Sequence, residues 1–502
     1  MTNLANATLG ERISYILTLE PGAVAIQFRD VEITWDELRR AAVTIERLLG
    51  SAGIEPTAPI GWAARNRPAA VAAFVGLIAN GRMVVPLRPA YALASFRDDI
   101  VAQRLKGVIG DPDDWSGEGV IAAAREAGSF GIVAKGPPFQ VEVVPELAKV
   151  GPGPHRAPAP GFVLERLTSG TTGPPKRVPV KQDVLVPSLR SGEQSGRAGD
   201  GELRVKRSPA LLFKPFSHAG GLFALMLALY QARPMVLFEK FKVDEWVAAV
   251  KTHKPKSISV VPAMIRMLLD ADLDPQDLSS LLAIRCGTAP LEVAVQEEFE
   301  RRYNVPILID YGAAEFIGGI AGWTLDDHRK YGLVKRGSVG RPRSDVKLRT
   351  IDPDSLAPLG AGEVGLLEIK SDRYGADWIR TNDLAELDAE GFVFLRGRAD
   401  DAINRGGFKI LPDEVAAVLR RYPGIADAAV VGAPDARHGQ VPIAALEMLP
   451  GNAEPDLAAV EAYLRQHLPA YMIPVEYRVV PALPRTASMK VSRPDLRALL
   501  GL

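Results

Sequence analysis

Apolar residues recur along this chain in two rhythms, and the changes between them mark out its elements. VAIQFRD, from residue 24, alternates as a strand does. ITWDELRRAAVTIERLLGSAGI then shifts to helical spacing, with Thr34 placed to cap the helix and Gly50 and Gly53 to end it. PIGWAARN, a helical run and RMVVPLRP repeat strand, helix, strand. The rhythm returns from 209 to 311 through PALLFKPFSH, PMVLFEK, SISVVPA, LLAIRCG and VPILIDYG, each followed or preceded by a helical pattern. After Asp345 strands dominate, in VKLRTID, GLLEIKS and GFVFLRGRADD. The last hundred residues alternate again: PDEVAAVLRRY, DAAVVGAP, PIAALEML, LAAVEAYLRQHL, EYRVVPALP. The pattern predicts an α/β fold, made of mixed α/β subdomains and a β-rich one. GPGPHRAPAPG, residues 151–161, reads as a Pro/Gly connector between lobes. AAVAAFVGLIANG and GGLFALMLALYQA are too short to cross a bilayer and predict buried helices.

Composition narrows the partners. The 502 residues are 47% hydrophobic, enough for a substantial core, and 60 basic side chains balance 60 acidic ones. That neutrality argues against a broad nucleic-acid surface while leaving room for a local phosphate site. The single cysteine, Cys286, excludes an internal disulfide framework and, in LLAIRCGTAP, reads as a packed thiol. The N-terminal MTNLANATLGERISYILTLE lacks a basic start and a long apolar run. The expectation is a cytoplasmic protein with no membrane and no nucleic-acid partner.

Candidate chemistry concentrates in LTSGTTGPPKRVPV, residues 167–180. Extended patterns flank it on both sides, so the loop joins two strands, whereas a Walker loop enters a helix. Its spacing also differs, because Pro175 stands five places after Gly170 where a Walker loop is completing Gly-Lys. Backbone N–H groups around Gly170 and Gly173, and the hydroxyls of Thr168, Ser169, Thr171 and Thr172, suit phosphate oxygens. Lys176 adds a compact cation, and Pro174 and Pro175 stiffen the exit. A polar hairpin tip is the plainer alternative.

This loop resembles the TSGTTGxPKG of the adenylate-forming superfamily: acyl-CoA ligases, nonribosomal-peptide adenylation domains and luciferases. Seven further runs match in order: PFSHAGG (215–221), CGTAPL (286–291), DYGAAE (310–315), GSVGRP (337–342), RTNDLAELDAEGFVFLRGRADD (380–401), GGFKILPDEV (406–415) and LPRTASMK (483–490). The resemblance implies a large N-terminal domain, 1–399, and a small mobile C-terminal α+β domain, 400–502, with its hinge at Asp400. It implies two steps: a carboxylate attacks ATP to give acyl-AMP and pyrophosphate, then the CoA thiol displaces AMP.

By the same resemblance, Gly287, Thr288, Ala289, Pro290, Asp310, Tyr311, Gly312 and Ala313 frame adenine and the acyl carbonyl. Ala314 stands at the α-phosphate, Glu315 holds Mg²⁺, and Asp383 and Arg398 grip the ribose. His218 borders the acyl pocket, and Lys490 reaches the carboxylate and α-phosphate. Read alone, His218 is a satisfied structural histidine and Lys490 a solvated charge. Gly406 and Gly407, with Arg405, Phe408 and Lys409, resemble the CoA-binding stretch of CoA ligases, since paired glycines permit close backbone approach. With twelve residues after Lys490, the expectation is that no carrier domain follows.

Several residues depart from the pattern. Ala314 lacks the family's hydroxyl, Arg177 replaces a small residue after Lys176, Asn382 replaces the glycine before Asp383, and Met489 replaces the glycine before Lys490. The stretch IKSDRYGADWIRTND is shortened. Most changes cluster on the adenylation side, while the glycine pair is kept. The expectation is a ligase specialised for thioesterification, fed an acyl-AMP made by a separate adenylating enzyme. In this combination the chain resembles acyl-CoA ligases of diterpenoid-antibiotic pathways of the platensimycin type. A complete two-step synthetase and a catalytically dead binding module are the alternatives. Phe216, His218, Gly287, Gly312, Ala313, Gly318 and Gly319 suggest a roomy apolar pocket and hence a bulky hydrophobic acid.

Overall fold

The computed structural model describes residues 7–89, 93–168, 176–194, 203–313, 316–452, 454–486 and 489–502. The chain divides into two units, the first from 1–170, 174–258 and 273–282, the second chiefly from 259–272 and 283–502.

The first unit carries a seven-stranded sheet in the order Gln140–Val143, Phe130–Lys135, Gly107–Gly110, Ile60–Ala63, Val84–Leu87, Phe162–Thr168, Lys176–Lys181. Its central strands run parallel, as the strand–helix rhythm predicts. Thr34 caps Trp35–Ser51 in a reciprocal box with Glu37. The two apolar runs are buried helices, Pro68–Ala79 and Ala219–Tyr230, and the first is buried at every position through Ile78. Trp62 fixes it by donating Nε1–H to the Ala70 carbonyl at 2.8 Å. No helix among the described residues is long and apolar enough to cross a membrane. The segment 151–161 departs from its reading as a connector between lobes, because it runs within the first unit. Its backbone donors Gly151, Arg156 and Ala159 bond to Gly128, Arg104 and Thr57. Prolines with no N–H suit such an extended strap.

In the second unit Ala283–Gly287 and Ile307–Tyr311 pair in parallel, and Ala321–Gly322 and Arg341–Pro342 follow antiparallel. The β-rich stretch is a four-stranded antiparallel sheet, Lys347–Ile351, Val364–Lys370, Ile379–Leu387, Val393–Arg398. The C-terminal stretch forms a further sheet around the long pair Ile425–Asp435 and Gly439–Met448. Alternate residues of that pair feed two cores. Ala428 and Val430 pack with Val415 and Val460, while Ala429 and Val431 pack with Ile443 and Leu496. A sheet covered on both faces explains why AAVV reads as a continuous apolar run.

Candidate active site

Lys490 closes a turn in which the Thr486 N–H donates to the Lys490 carbonyl at 2.7 Å and Met489 N–H to the Thr486 carbonyl at 2.8 Å. Burial pushes the Lys490 pKa below the ordinary lysine range; the charge of Asp383 opposes this and that of Arg398 adds to it. Residues more than ninety positions apart in sequence thus share one electrostatic environment. Asp383 and Arg398 face each other across the pair Ile379–Leu387 and Val393–Arg398. One Asp383 oxygen accepts from the Tyr311 hydroxyl at 2.5 Å, and the other lies 3.7 Å from Arg398 Nη1. Arg398 makes its close contacts with Asp400 instead, Nε to Oδ1 at 2.8 Å and Nη2 to Oδ2 at 2.7 Å. Asn382 adds Nδ2–H to the same Asp400 carboxylate at 3.2 Å. The residue that replaces the family's glycine therefore holds the expected hinge residue. A sequence motif alone gives no sign of that contact.

Side chains alternate along Ile307–Tyr311, so Asp310 leaves the face that Tyr311 uses. Its carboxylate accepts from Arg285 Nη1 at 3.0 Å and Arg343 Nη2 at 2.6 Å. Burial lowers the Arg343 pKa; Asp310 opposes the shift. A Cβ on Gly319 would come within 3.2 Å of the Arg343 guanidinium, and one on Gly322 within 2.3 Å of Asp310 Oδ1. Gly318 has φ +82°, and Gly287 lets the Asp310 carbonyl approach to 2.6 Å of where a Cβ would sit. A Cβ on Gly312 would lie 2.9 Å from the Gly318 carbonyl. These glycines thus answer to backbone and guanidinium contacts. Arg285 was findable: it precedes the CGTAPL run and shares Asp310's strand face by alternation. Thr288, at φ +75°, is a β-branched residue in the left-handed region. Ala289 is half-buried and Pro290 exposed, while Ala313 packs beside Phe316 and Tyr374. Tyr374, from the shortened stretch, both accepts from Ile317 N–H at 3.0 Å and donates to its carbonyl at 2.9 Å. Ala314 and Glu315 lie outside the described residues, and no group of three His, Cys, Asp or Glu side chains suited to a metal occurs among the described ones.

Gly406 and Gly407 join Ile403–Arg405 to Phe408–Ile410 as a two-residue hairpin loop, with φ +57° and +90°. Positive φ at both positions is the turn that favours glycine most strongly. Arg405 donates to the Tyr471 and Ile473 carbonyls at 2.8 and 3.0 Å. Phe408, 56% exposed, stacks on Tyr471 with ring centroids 4.7 Å apart, and Lys409 is exposed.

In the first unit, Phe162–Thr168 and Lys176–Lys181 pair antiparallel with Thr168 opposite Lys176, so the Thr/Gly-rich loop between them does join two strands. Ser169, Gly170, Thr171 and Thr172 lie outside the described residues, as do the side chains of Thr168 and Lys176. Arg177 turns to Asp99, Nη2 to Oδ1 at 2.5 Å and to Oδ2 at 2.7 Å, with Nη1 donating to the Pro86 carbonyl at 2.9 Å. Glu165 lies 3.4 Å from Arg177 Nη1 and also binds Arg156. Phe216 is buried against Trp62, its N–H donated to Asn66 Oδ1 at 3.0 Å. His218 precedes Ala219–Tyr230 half-exposed and gives its side chain no capping role there. The Gly221 backbone sits so close to the Pro215 carbonyl that a Cβ would come within 2.2 Å.

The family model described as AMP-binding enzyme matches residues 17–374, and that described as AMP-binding enzyme C-terminal domain matches 414–490. The chain is 32% identical to 2-succinylbenzoate–CoA ligase of Bacillus velezensis over 66% of this chain and 68% of that one. It is 26% identical to the fatty acid–[acyl-carrier-protein] ligase ScoC of Streptomyces coeruleorubidus over 98% and 96%. Sulfoacetate–CoA ligase of Cupriavidus necator is 29% identical over 92% and 91%. Among solved structures, ATP-bound MatB from Rhodopseudomonas palustris shares the fold at TM-score 0.82 and 22% identity, covering 98% of each chain. The Bacillus subtilis o-succinylbenzoate CoA synthetase with its acyl-adenylate does so at 0.78 and 23%, over 97% of this chain and 98% of that one. Two family models in order along one chain, carried by the motifs above, place it: the chain belongs to the AMP-binding, adenylate-forming enzyme family, in its acyl-CoA ligase branch.

Proposed function

We propose that this ligase turns a bulky hydrophobic carboxylic acid into its CoA thioester through acyl-AMP, with thioester formation the stronger half-reaction. The observation that carries the adenylate chemistry is the gathering of Lys490, Asp383, Arg398 and Tyr311. In the first step a carboxylate oxygen attacks the α-phosphorus and pyrophosphate leaves. Charge grows on the phosphate oxygens, and the Lys490 ammonium is the cation placed to neutralise it. Asp383, fixed by Tyr311, accepts from ribose hydroxyls. Thr168 to Thr172 and Lys176 cradle the outgoing phosphates, and Glu315 would hold Mg²⁺, which supplies further positive charge. In the second step the CoA sulfur attacks the acyl carbon and AMP leaves as its phosphate anion, beside the hinge at Asp400 and the Gly406–Gly407 turn.

The imbalance between steps rests on Ala314, which offers no hydroxyl, and on Met489, whose backbone is strained at φ +64° next to Lys490. Losing one donor to a charged transition state costs roughly 3–4 kcal/mol, hundreds-fold in rate. The size of the acid rests on Ala313, because Gly318 is accounted for by its own positive φ, and Gly319 and Phe216 by their packing.

The test pairs acid-dependent pyrophosphate exchange with conversion of supplied acyl-AMP and CoA to acyl-CoA, read by mass over a panel of acids. Thioester formation well above exchange is the expected result. Equal rates would make this a complete synthetase, and nucleotide binding with neither turnover would make it a dead module. Best turnover with a small polar acid would overturn the proposed substrate class.

A further inference from the structure

A line of alternating charges crosses the second unit and ends on the turn that carries Lys490. It starts at Glu292, one residue beyond the CGTAPL run and directly before the helix Val293–Tyr303. Glu292 Oε1 binds Arg266 Nη2 at 2.6 Å and Arg420 Nη1 at 3.2 Å. Arg266 also donates to the Ala426 carbonyl at 3.1 Å. Arg420, at the C-terminal end of Pro412–Leu419, gives Nε–H to Asp427 Oδ1 at 2.8 Å. Asp427 Oδ2 accepts from Arg485 Nη2 at 2.6 Å, and Arg485 Nη1 reaches the Met489 carbonyl at 3.4 Å.

The local structure supports a positioning task. A register shift between Ile425 and Asp427 re-aims the side chain of Asp427. The chain around the lysine is closed by a bridge between Arg485 and Val491, by Lys490 N–H to Thr486 Oγ1 at 3.3 Å, and by Leu483 N–H to Glu447 Oε2 at 2.8 Å. Within that turn Met489 sits at φ +64°, a conformation a methionine leaves unless something holds it. Thr486 holds the N–H groups of Met489 and Lys490 from within the turn, and Arg485, anchored on a nearly buried carboxylate, reaches the Met489 carbonyl from outside it. Burial raises the Asp427 pKa, but Arg420 and Arg485 outweigh it and keep the carboxylate ionised.

We infer that Arg485 is a positioning residue for Lys490, and that Asp427, Arg420 and Glu292 tie its placement to the CGTAPL segment some two hundred residues earlier. This inference rests on the reading of Lys490 as the adenylation lysine. The relay holds the ammonium beside Asp383 and Arg398, so it serves the first half-reaction and leaves the second untouched.

The experiment uses the full chain and the variants Arg485→Ala, Arg485→Lys, Glu292→Gln and Lys490→Ala. The pH midpoint of Lys490 acylation by trace acetic anhydride, read by peptide mass, reports the lysine's surroundings without needing turnover. Arg485→Ala is expected to move that midpoint upward toward those of exposed lysines in the same digest. It is also expected to cut pyrophosphate exchange roughly 10- to 100-fold, the cost of a misplaced catalytic group. Thioester formation from supplied acyl-AMP should stay within about twofold, less than 0.5 kcal/mol. Arg485→Lys, which can still reach Asp427, should restore part of both effects, and Glu292→Gln should shift the midpoint in the same direction by less. An unmoved Lys490 midpoint in Arg485→Ala would overturn the proposal, as would equal loss of both half-reactions. Lys490→Ala separates the two readings: if it leaves exchange unchanged the role of Lys490 fails, whereas the relay is still judged by the labelling.

Discussion

Positions 177 and 489 both hold a large side chain where the family's motifs carry a small residue, yet the two regions absorb it differently. Arg177 lies in an extended strand, with its guanidinium drawn onto Asp99 and Glu165; its side chain is 14% exposed and that of Glu165 only 2%. Met489 lies in a turn that demands φ +64°, and the residue is 38% exposed. In the first case the backbone suits any residue and the new charge meets charges of opposite sign. In the second the conformation itself asks for glycine, and a half-exposed side chain stands where glycine would relieve the strain. A glycine replaced in a motif therefore means little until its φ and its partners are known.

Removing the compensated residue should do the most damage. Arg177→Gly leaves Asp99 and Glu165 without their shared guanidinium, and losing one member of a buried pair costs about 3–5 kcal/mol. The unfolding midpoint in denaturant should fall sharply, and pyrophosphate exchange should not rise in the folded fraction. A variant as stable as the parent would show that the ion cluster contributes nothing and that bulk at the loop exit deserves renewed weight.

Next in size is the residue that the strained turn presents. Lys490→Met should reduce exchange about a hundredfold, as loss of a charge-stabilising group does, and spare thioester formation from supplied acyl-AMP. Because burial lowers the lysine pKa, its charge is lost as pH rises through a value below the ordinary lysine range. Exchange in the parent should therefore decline on the alkaline side earlier than a solvated lysine would dictate, and Lys490→Arg should remove that limb. An alkaline limb unchanged in Lys490→Arg would assign it to another group.

Met489→Gly sharpens the contrast directly. Relief of one left-handed residue is worth about 1–2 kcal/mol, partly offset by the entropy glycine gains in the unfolded chain. Stability should hold or rise slightly, and exchange should increase. A clear loss of stability would mean that the methionine side chain packs to advantage in this turn.

How far the sequence reaches can be judged residue by residue. The strand–helix rhythm from Val24 to Tyr311 was legible because parallel strands and their crossover helices have different periods. The strand Ile379–Leu387 was not, since its run of Arg380, Thr381, Asn382 and Asp383 carries the site's polar residues where an apolar alternation would stand. The hairpin at Gly406 was read for close approach, whereas its φ values give it a turn's own reason for glycine. Tyr311, Asp383, Arg398 and Lys490 were named from motifs, and the structure brings them together. The partners of Arg177 and Asn382, and Arg343 as the second partner of Asp310, were out of reach, because each contact joins segments whose distance in space no local pattern encodes.

Asn382 supplies the smallest expected effect and the last way to break the comparison. It is a third replaced glycine, intermediate between the other two, for its amide makes one contact with Asp400 at 3.2 Å on an exposed surface. Arg398 already satisfies that carboxylate through two shorter bonds, and holds its pKa below the usual range against the effect of burial. Loss of the amide should thus cost no more than about 0.5–1 kcal/mol, the net worth of one hydrogen bond. Asn382→Ala isolates that term, while Asn382→Gly adds the flexibility of glycine within a strand, roughly 0.5–1 kcal/mol further. Both variants should keep exchange within about fivefold of the parent, the rate equivalent of 1 kcal/mol. A tenfold or greater rise in exchange with Asn382→Ala would move the proposed block on adenylation away from Met489. It would place that block on the amide that ties Asp400, and the strained turn would then be a bystander.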